Sequence, residues 1–376
     1  MRLPRIFKAL RWVLRFAAVA ALLLLAAAMV FSLASRPALL AFHPTPNAAR
    51  HPAQAAAVAN YARDEADTFY TYPEWYIVWS YQAKADFQRS HLPSGYSWFG
   101  DIGQYWQAYS RMYAFTRRVY PFATGDHIML VVIGSSFTLE YILKGLYEDT
   151  LGRLSEWTSR HQMAAEDVYA AKVAEDYAAF VHVRPFYEYS FAHALRGLWR
   201  DVPFHATHLT RTLERRAWLS LDYAVESVYC EVIELATHAT YGFEDTHTSV
   251  WIQFPADRKD AILASVRSMS VAKDIGPGEA IVEVPRYQEF TTDAQSLLHA
   301  DATFHQIAGN EIIVLSAIAP AAWTTNDPRM QELLSQPLLT ESGKTRVVLL
   351  TRVESLHETL PLLEQQGLAI EHLYDY

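Results

Sequence analysis

FAAVAALLLLAAAMVFSLAS, residues 16–35, is a stretch without a charged side chain. Because an α-helix rises 1.5 Å per residue, about twenty apolar residues match the roughly 30 Å hydrocarbon core of a bilayer. Basic residues that directly precede such a helix are usually on the cytoplasmic side of the membrane. Residues 16–35 are therefore predicted to form a single transmembrane helix with a cytoplasmic N-terminus. The basic side chains before it are Arg2, Arg5, Lys8, Arg11 and Arg15.

A cleaved signal peptide is the alternative, because Ser32–Ser35 has the small side chains of a cleavage site. The stretch exceeds the about 7–15 residues of an ordinary signal core, which favours an uncleaved anchor. Abundant alanine, and more arginine than lysine, are typical of a GC-rich bacterial genome. We therefore expect residues 1–35 to be a cytoplasmic stub and signal-anchor in a bacterial inner membrane, with a periplasmic or extracellular body.

The charge of the body argues against some partners. The formal net charge is −9, although the first fifteen residues hold basic and no acidic side chains. An acidic body is unsuited to nucleic acid or to an anionic lipid surface. The only cysteine is Cys230, so no disulfide can form within the chain.

Composition divides the remaining chain into three parts. Residues 36–60 are rich in proline and alanine and are predicted to be a semi-rigid spacer. Residues 61–245 have helical periodicity and are expected to form a mainly helical, aromatic-rich domain. Residues 246–376 alternate between strand-like and helical patterns. The predicted fold class is α+β.

Aromatic residues are concentrated between residues 61 and 122. Aromatic side chains supply much of a protein's buried area, so the simplest interpretation is a helical core. Two alternatives are an interfacial belt resting on the membrane near the anchor and a stacking surface for a flat ligand such as a sugar ring.

Residues 127–157 are a possible second membrane pass. Their uncharged part, 128–139, is too short to span a bilayer. A buried strand or helix start at 128–133, a break at Gly134 and a helix over 136–148 are predicted instead. On that helix Glu140, Lys144 and Glu148 share one face. We expect a solvated face; turned inward, the same residues would form a buried acid-base cluster.

The longest helical pattern covers residues 210–240 and ends before Gly242. Asp222 and Glu226 are an i, i+4 acid pair on this otherwise apolar helix. Paired carboxylates can split their pKa values and act as acid and base, so Asp222, Glu226 and Glu140 are the candidate catalytic residues. The alternative is a structural ion pair with Arg215, Arg216 or another basic group.

Metal-ligating side chains occur near the end of the same helix. Glu234 and His238 share a helical face and His247 follows beyond Gly242. Carboxylate and imidazole together suit zinc or iron. The alternative interpretation is that His238 interacts with the helix dipole at a solvated C-terminus.

Residues 246–376 are predicted to form one split βαβ (ferredoxin-like) layer domain. The predicted strands are 249–254, 280–284, 311–318, 346–351 and 368–374, and the predicted helices 256–269, 290–300 and 353–366. A polar segment near 323–344 is expected to interrupt this order without strands of its own.

Specific catalytic motifs are missing from the sequence. It has no Walker A loop, GxGxxG, HExxH, CxxC or GxSxG, and no cofactor is predicted. We therefore expect a non-enzymatic envelope protein that binds an envelope partner or a hydrophobic or saccharide ligand. The alternative is a membrane-anchored hydrolase or metal-dependent enzyme using the carboxylates and His238. A structural assembly protein, the third hypothesis, would have a large apolar patch and no pocket.

The metal hypothesis makes a direct prediction. If His238 ligates zinc or iron, the purified protein contains stoichiometric metal that is lost in His238→Ala, because ligand loss lowers affinity. Elemental analysis of both proteins measures this. A wild-type protein free of metal would contradict the metal hypothesis. His357→Ala, in the predicted helix 353–366, is the control and should keep the metal.

Overall fold

The computed structural model describes Ala26 and residues 38–41, 52–63, 69–120, 124–204, 208–240, 246–255, 257–276 and 278–375. Apart from Ala26, the predicted transmembrane segment 16–35 lies outside this set. Gly242 is also outside it, and the side chain of His238 is not described. The fold class is α+β, as predicted: helices form the first part and two antiparallel sheets dominate the second.

The helical part follows the predicted periodicity closely. The helix predicted over residues 210–240 is present as Leu209–Thr240. The helices are α1 (Pro52–Val58), α2 (Thr71–Gln88), α3 (Trp98–Thr116), α4 (Thr124–Tyr147), α5 (Arg153–Thr158), α6 (Ala165–Val181), α7 (Phe191–Arg200) and α8 (Leu209–Thr240). A π-helical turn at Glu148–Gly152 joins α4 to α5.

Helix α4 is continuous where a break was predicted. Residues 128–133 are helical, so the strand alternative is wrong. The interruption expected at Gly134 is also wrong, since the helix continues through this residue. Gly134 instead makes room for Tyr105, because a Cβ at this position would lie 2.1 Å from Cε1 of that ring. Tyr105 is fully buried, and its hydroxyl donates a hydrogen bond to the Leu130 carbonyl oxygen at 2.6 Å.

Helices α4 and α8 lie side by side and antiparallel. Lys144 contacts Glu226, whereas Glu148, one turn later at the start of the π-helical turn, contacts Arg215, three turns earlier on α8. Between these contacts the rings of Tyr147 and Trp218 stack with centroids 3.6 Å apart. Side chains along both helices therefore meet in one continuous seam.

The side of this pair that points away from the domain is apolar. Leu139 and Leu143 are two residues from the buried Tyr141, which is about 200° around the helix. On α8, Leu221 and Val225 are likewise two residues from the buried Tyr223 and therefore point to the opposite side of the helix. We call this surface the apolar face. Its exposed side chains are Ile128, Met129, Val132, Leu139, Leu143 and Leu146 on α4 and Leu213, Leu221, Val225 and Val228 on α8.

One described stretch, Gly125–Thr158, is long and apolar enough by composition to cross a membrane. Its two sides differ, however. On the inner side Lys144 and Glu148 contact α8, and Glu140 contacts Lys144. The outer side belongs to the apolar face. The stretch is thus half protein core and half exposed surface.

The C-terminal part contains two four-stranded sheets, where one was predicted. The first is built from β1 (His247–Gln253), β2 (Ser270–Gly276), β3 (Glu279–Pro285) and β4 (Thr303–Ile307), with α9 (Lys259–Ser265) and α10 (Tyr287–His299). The second is built from β5 (Ile312–Pro320), β6 (Met330–Pro337), β7 (Lys344–Arg352) and β8 (Ala369–Leu373), with α11 (Leu356–Gln365).

Both sheets have the same strand order. The first is β2-β3-β1-β4 and the second β6-β7-β5-β8, and all neighbouring strands are antiparallel. In the second sheet a loop at 321–329 replaces the first helix of the split βαβ pattern. The segment predicted to be an insert therefore contains β6, and the domain is a tandem of two related modules.

The second sheet is buried on both faces, which explains the continuous apolar run in β5. Ile313 and Leu315 point into a core shared with the first sheet, α10 and α11. Ile312 and Val314 point the other way, into a cluster with side chains of α2 and α3. The helical part and the sheets thus share a core.

Gly134 gives a prediction about stability. Gly134→Ala is expected to lower the free energy of unfolding by about 1–3 kcal/mol, because the buried Tyr105 ring must move. Gly103→Ala in α3 is the matched control: no atom lies within 4 Å of its Cβ, so alanine should stabilise by up to about 1 kcal/mol. Chemical denaturation measures both. Equal stabilisation by both substitutions would contradict the packing role of Gly134.

Candidate functional site

The three candidate catalytic carboxylates meet at one lysine between α4 and α8. The Lys144 ammonium lies 2.8 Å from Glu140 Oε1, 3.1 Å from Asp222 Oδ1 and 3.1 Å from Glu226 Oε1. Their side chains are between 13% and 18% exposed. We call these four residues the Lys144 cluster.

The helical spacing of these residues produces the convergence. Glu140 and Lys144 are one turn apart on α4, and Asp222 and Glu226 are one turn apart on α8, so each pair lies on a single face. The expectation of a solvated face on α4 is wrong, because this face is turned towards α8. The basic partner of the α8 acids is Lys144 and not Arg215 or Arg216.

Burial and the central ammonium shift the acidities in different directions. Burial raises the pKa of Glu226 to about 7, with the attraction of Lys144 opposing it. Burial also acts to raise the pKa of Glu140, but the charges of Lys144 and Lys84 outweigh it, so that pKa is lowered. Two chemically identical carboxyls in one cluster thus differ in protonation near neutral pH, as an acid and a base require.

A second group of buried charges continues the seam. Arg211 Nη2 lies 2.8 Å from Asp167 Oδ1, and Arg215 contacts both Asp167 and Glu148. The side chains of these four residues are at most 4% exposed. Guanidinium and carboxylate groups at such distances form short, directional hydrogen bonds, so this group fixes α8 against α6 and the π-helical turn.

Lys84 on α2 belongs to the site, although the sequence analysis did not identify it. Its side chain is buried, and Nζ lies 4.7 Å from the ring centroid of Tyr81, 5.5 Å from that of Tyr141 and 5.9 Å from that of Trp98. Burial, followed by repulsion from Lys144, lowers its pKa. The pattern around Lys84 in the sequence is that of an ordinary surface lysine, so only the tertiary structure reveals this environment.

A small cavity connects Lys84 to the Lys144 cluster. It has a volume of about 70 Å³, and its lining includes Lys84, Glu140, Lys144, Glu148 and Glu226. Pockets for drug-sized ligands are about 300–1,000 Å³. The cavity is therefore suited to water or to a very small molecule.

The predicted metal ligands do not belong to this site. Glu234 is half-buried on the last turns of α8, and His247 is exposed at the start of β1. His247 lines a separate polar depression of about 340 Å³ with Arg63, Thr248 and Glu283. Among the described side chains, no three His, Cys, Asp or Glu are grouped to hold a metal ion. Because the His238 side chain is outside this set, the metal hypothesis stays a prediction.

The raised pKa of Glu226 predicts a pH-dependent stability. Between pH 4.5, the ordinary value, and about 7, the folded protein holds a proton that the unfolded chain releases. The contribution of Glu226 to the free energy of unfolding therefore falls as the pH rises, by about 3 kcal/mol over this range. Glu226→Gln cannot ionise, so its stability relative to wild type should increase from pH 5 to pH 8.

Urea titrations at several pH values, followed by tryptophan fluorescence, measure this difference. Glu341→Gln is the control, because Glu341 and Lys344 form an exposed pair, and it should change stability by less than about 1 kcal/mol. A stability difference between wild type and Glu226→Gln that does not vary with pH would show that Glu226 titrates normally.

Comparison with known proteins gives no match to a family model, to a curated protein or to a solved structure.

Proposed function

We propose that this chain is a single-pass, membrane-anchored protein of the bacterial envelope, and that its helical domain binds the apolar layer of the membrane through the apolar face. In this proposal residues 16–35 form the anchor and the body lies on the periplasmic or extracellular side. The protein acts as a binding protein rather than as an enzyme.

The observation that carries the proposal is an exposed surface without charge. Leu143 and Val225 at its centre are 56% and 58% exposed. None of the exposed residues between Ile128 and Leu146 on α4, or between Leu213 and Val228 on α8, is charged. The α4 part alone is about 27 Å long at 1.5 Å per residue. Apolar patches of this extent mark contact with a membrane or with another protein.

Two features favour lipid as the occupant. The anchor and the spacer of residues 36–60 would hold the domain next to the bilayer. Exposed aromatic side chains are also found beyond the apolar face, at Trp157, Trp199 and Phe204. Aromatic rings of this kind are enriched at the level of lipid headgroups.

Other surfaces of the domain carry charged side chains. Lys172, Glu175 and Asp176 on α6 are exposed, so helices elsewhere in the domain are suited to water. A helix pair with one apolar side and a polar opposite side lies in the plane of the membrane interface. We therefore place α4 and α8 along the membrane surface rather than across it. The contact is apolar, consistent with an acidic body that does not attract anionic lipids.

The aromatic-rich stretch supports this role less than the apolar face does. Tyr72, Trp75, Trp79, Tyr105 and Tyr109 are all buried. Tyr72, Trp75 and Trp79 pack between α2, α3 and the second sheet. Tyr105 and Tyr109 pack in a separate cluster between α2, α3 and α4. Core packing, the simplest of the three interpretations, accounts for these residues, and they offer no stacking surface for a sugar.

The proposal predicts the environment of single labelled positions. In a Cys230→Ala background, Leu143→Cys and Val225→Cys would each carry a fluorophore in full-length protein reconstituted into phosphatidylcholine vesicles. Both labels should be quenched by nitroxide-bearing lipids and protected from aqueous iodide, because their side chains would lie in the acyl region.

Glu175→Cys on α6 is the matched control, with a half-exposed side chain on a charged helix surface, and its label should show the reverse behaviour. If iodide quenches Leu143→Cys and Val225→Cys as strongly as it quenches Glu175→Cys, the apolar face does not contact lipid. Protection from both quenchers would assign the face to a protein partner instead.

A further inference from the structure

We propose that Lys84 is a nucleophilic amine that binds a small aldehyde or ketone as an imine in the cavity beside the Lys144 cluster. This inference goes beyond the proposed membrane role and is independent of it. It concerns the inner side of the helix pair, and the site uses α2, α4 and α8 together.

The surroundings of Lys84 are unusual for a buried lysine. Buried lysines are almost always paired with an acid. Lys84 is 8% exposed, and its Nζ is surrounded by the rings of Tyr81, Tyr141 and Trp98. It forms no ion pair with a described residue, whereas Lys144 in the same cavity has three. The Lys84 amine is therefore left available to a ligand.

Two physical effects keep this amine reactive. A lysine becomes a nucleophile when it is desolvated or placed beside another cation. Both conditions are met, because burial and then the charge of Lys144 lower the pKa of Lys84. The nearby acids Glu140, Asp222 and Glu226 act in the opposite direction, but they are already held by Lys144.

The cavity supplies a proton donor and sets the size of the ligand. Glu226 lines the same cavity, and its pKa of about 7 lets it donate and accept protons at neutral pH. A volume of about 70 Å³ is room for about two water molecules at roughly 30 Å³ each. The ligand is thus limited to a carbonyl compound of a few heavy atoms.

The step balances without any redox partner. The Lys84 nitrogen adds to the carbonyl carbon, the C=O π bond breaks, and one N–H proton moves to the oxygen, which gives a carbinolamine. The C–O bond then breaks, and the leaving hydroxide takes the Glu226 proton and departs as water. The products are an iminium on Lys84 and a Glu226 carboxylate, whose opposite charges stabilise each other.

Reductive trapping tests the proposal. The full-length protein in detergent at about pH 7 would be treated with acetaldehyde and sodium cyanoborohydride, and modified lysines mapped by peptide mass spectrometry. Lys84 should be ethylated at least about tenfold faster than the exposed Lys172 and Lys344, because desolvation and a neighbouring cation activate a lysine as a nucleophile, whereas these two side chains are in water. Lys84→Met should remove the fast phase.

Glu226→Gln is the second variant and should slow the labelling of Lys84 severalfold while leaving Lys344 unchanged, because dehydration loses its acid. The smaller formaldehyde is the second probe. If Lys84 reacts with either probe no faster than Lys344, or not at all, the lysine is a protonated structural cation and the proposal is wrong. Equal fast labelling in Glu226→Gln would overturn the role given to Glu226.

Discussion

The pairing of buried charges between α4 and α8 is the constraint on which the helical domain depends. An ammonium or carboxylate removed from water costs several kcal/mol unless opposite charges compensate it. Lys144 compensates three carboxylates, and Arg215 holds two more in the same seam. A shift of one helix along the other would separate these pairs, so their register is fixed. Such a seam also reverses the usual helix pattern, since polar residues face inward and apolar ones outward.

Part of the fold could be predicted because apolar residues recur with a clear helical period in its long helices. The bounds of α8 follow from its helical periodicity, which predicts 210–240 where the structure has Leu209–Thr240. The prediction at Gly134 was wrong because a glycine within an apolar run fits both a helix break and a close contact with another side chain. At this position the glycine makes room for Tyr105. The division into two sheets was missed for a different reason: β2 in the first sheet is largely exposed and has no alternation, and β6 in the second sheet carries a register shift near Glu332 and Leu334. Edge strands of this kind lack the pattern that identifies a strand.

The site could be predicted in part. The i, i+4 spacing identified Glu140, Asp222 and Glu226 as groups that share faces, and the structure brings all three to Lys144. What spacing could not give was the direction of those faces, because it depends on how α4 and α8 pack. Lys84 had no signal of any kind: its environment is created by aromatic rings from α2, α3 and α4, and residues distant in sequence meet only in the fold.

The proposed membrane contact and the buried amine act on the same electrostatic balance. The apolar face and the Lys144 cluster are opposite sides of the same two helices, about one helix diameter, or roughly 10 Å, apart. Water on the apolar face would screen the charges of the Lys144 cluster, whereas lipid would not. The effective dielectric constant around the cavity would therefore be lower when the apolar face contacts lipid. A lower dielectric constant strengthens both the desolvation of Lys84 and its repulsion by Lys144. Membrane contact would therefore shift Lys84 further towards the neutral amine, so its reactivity should be greater in a bilayer than in water.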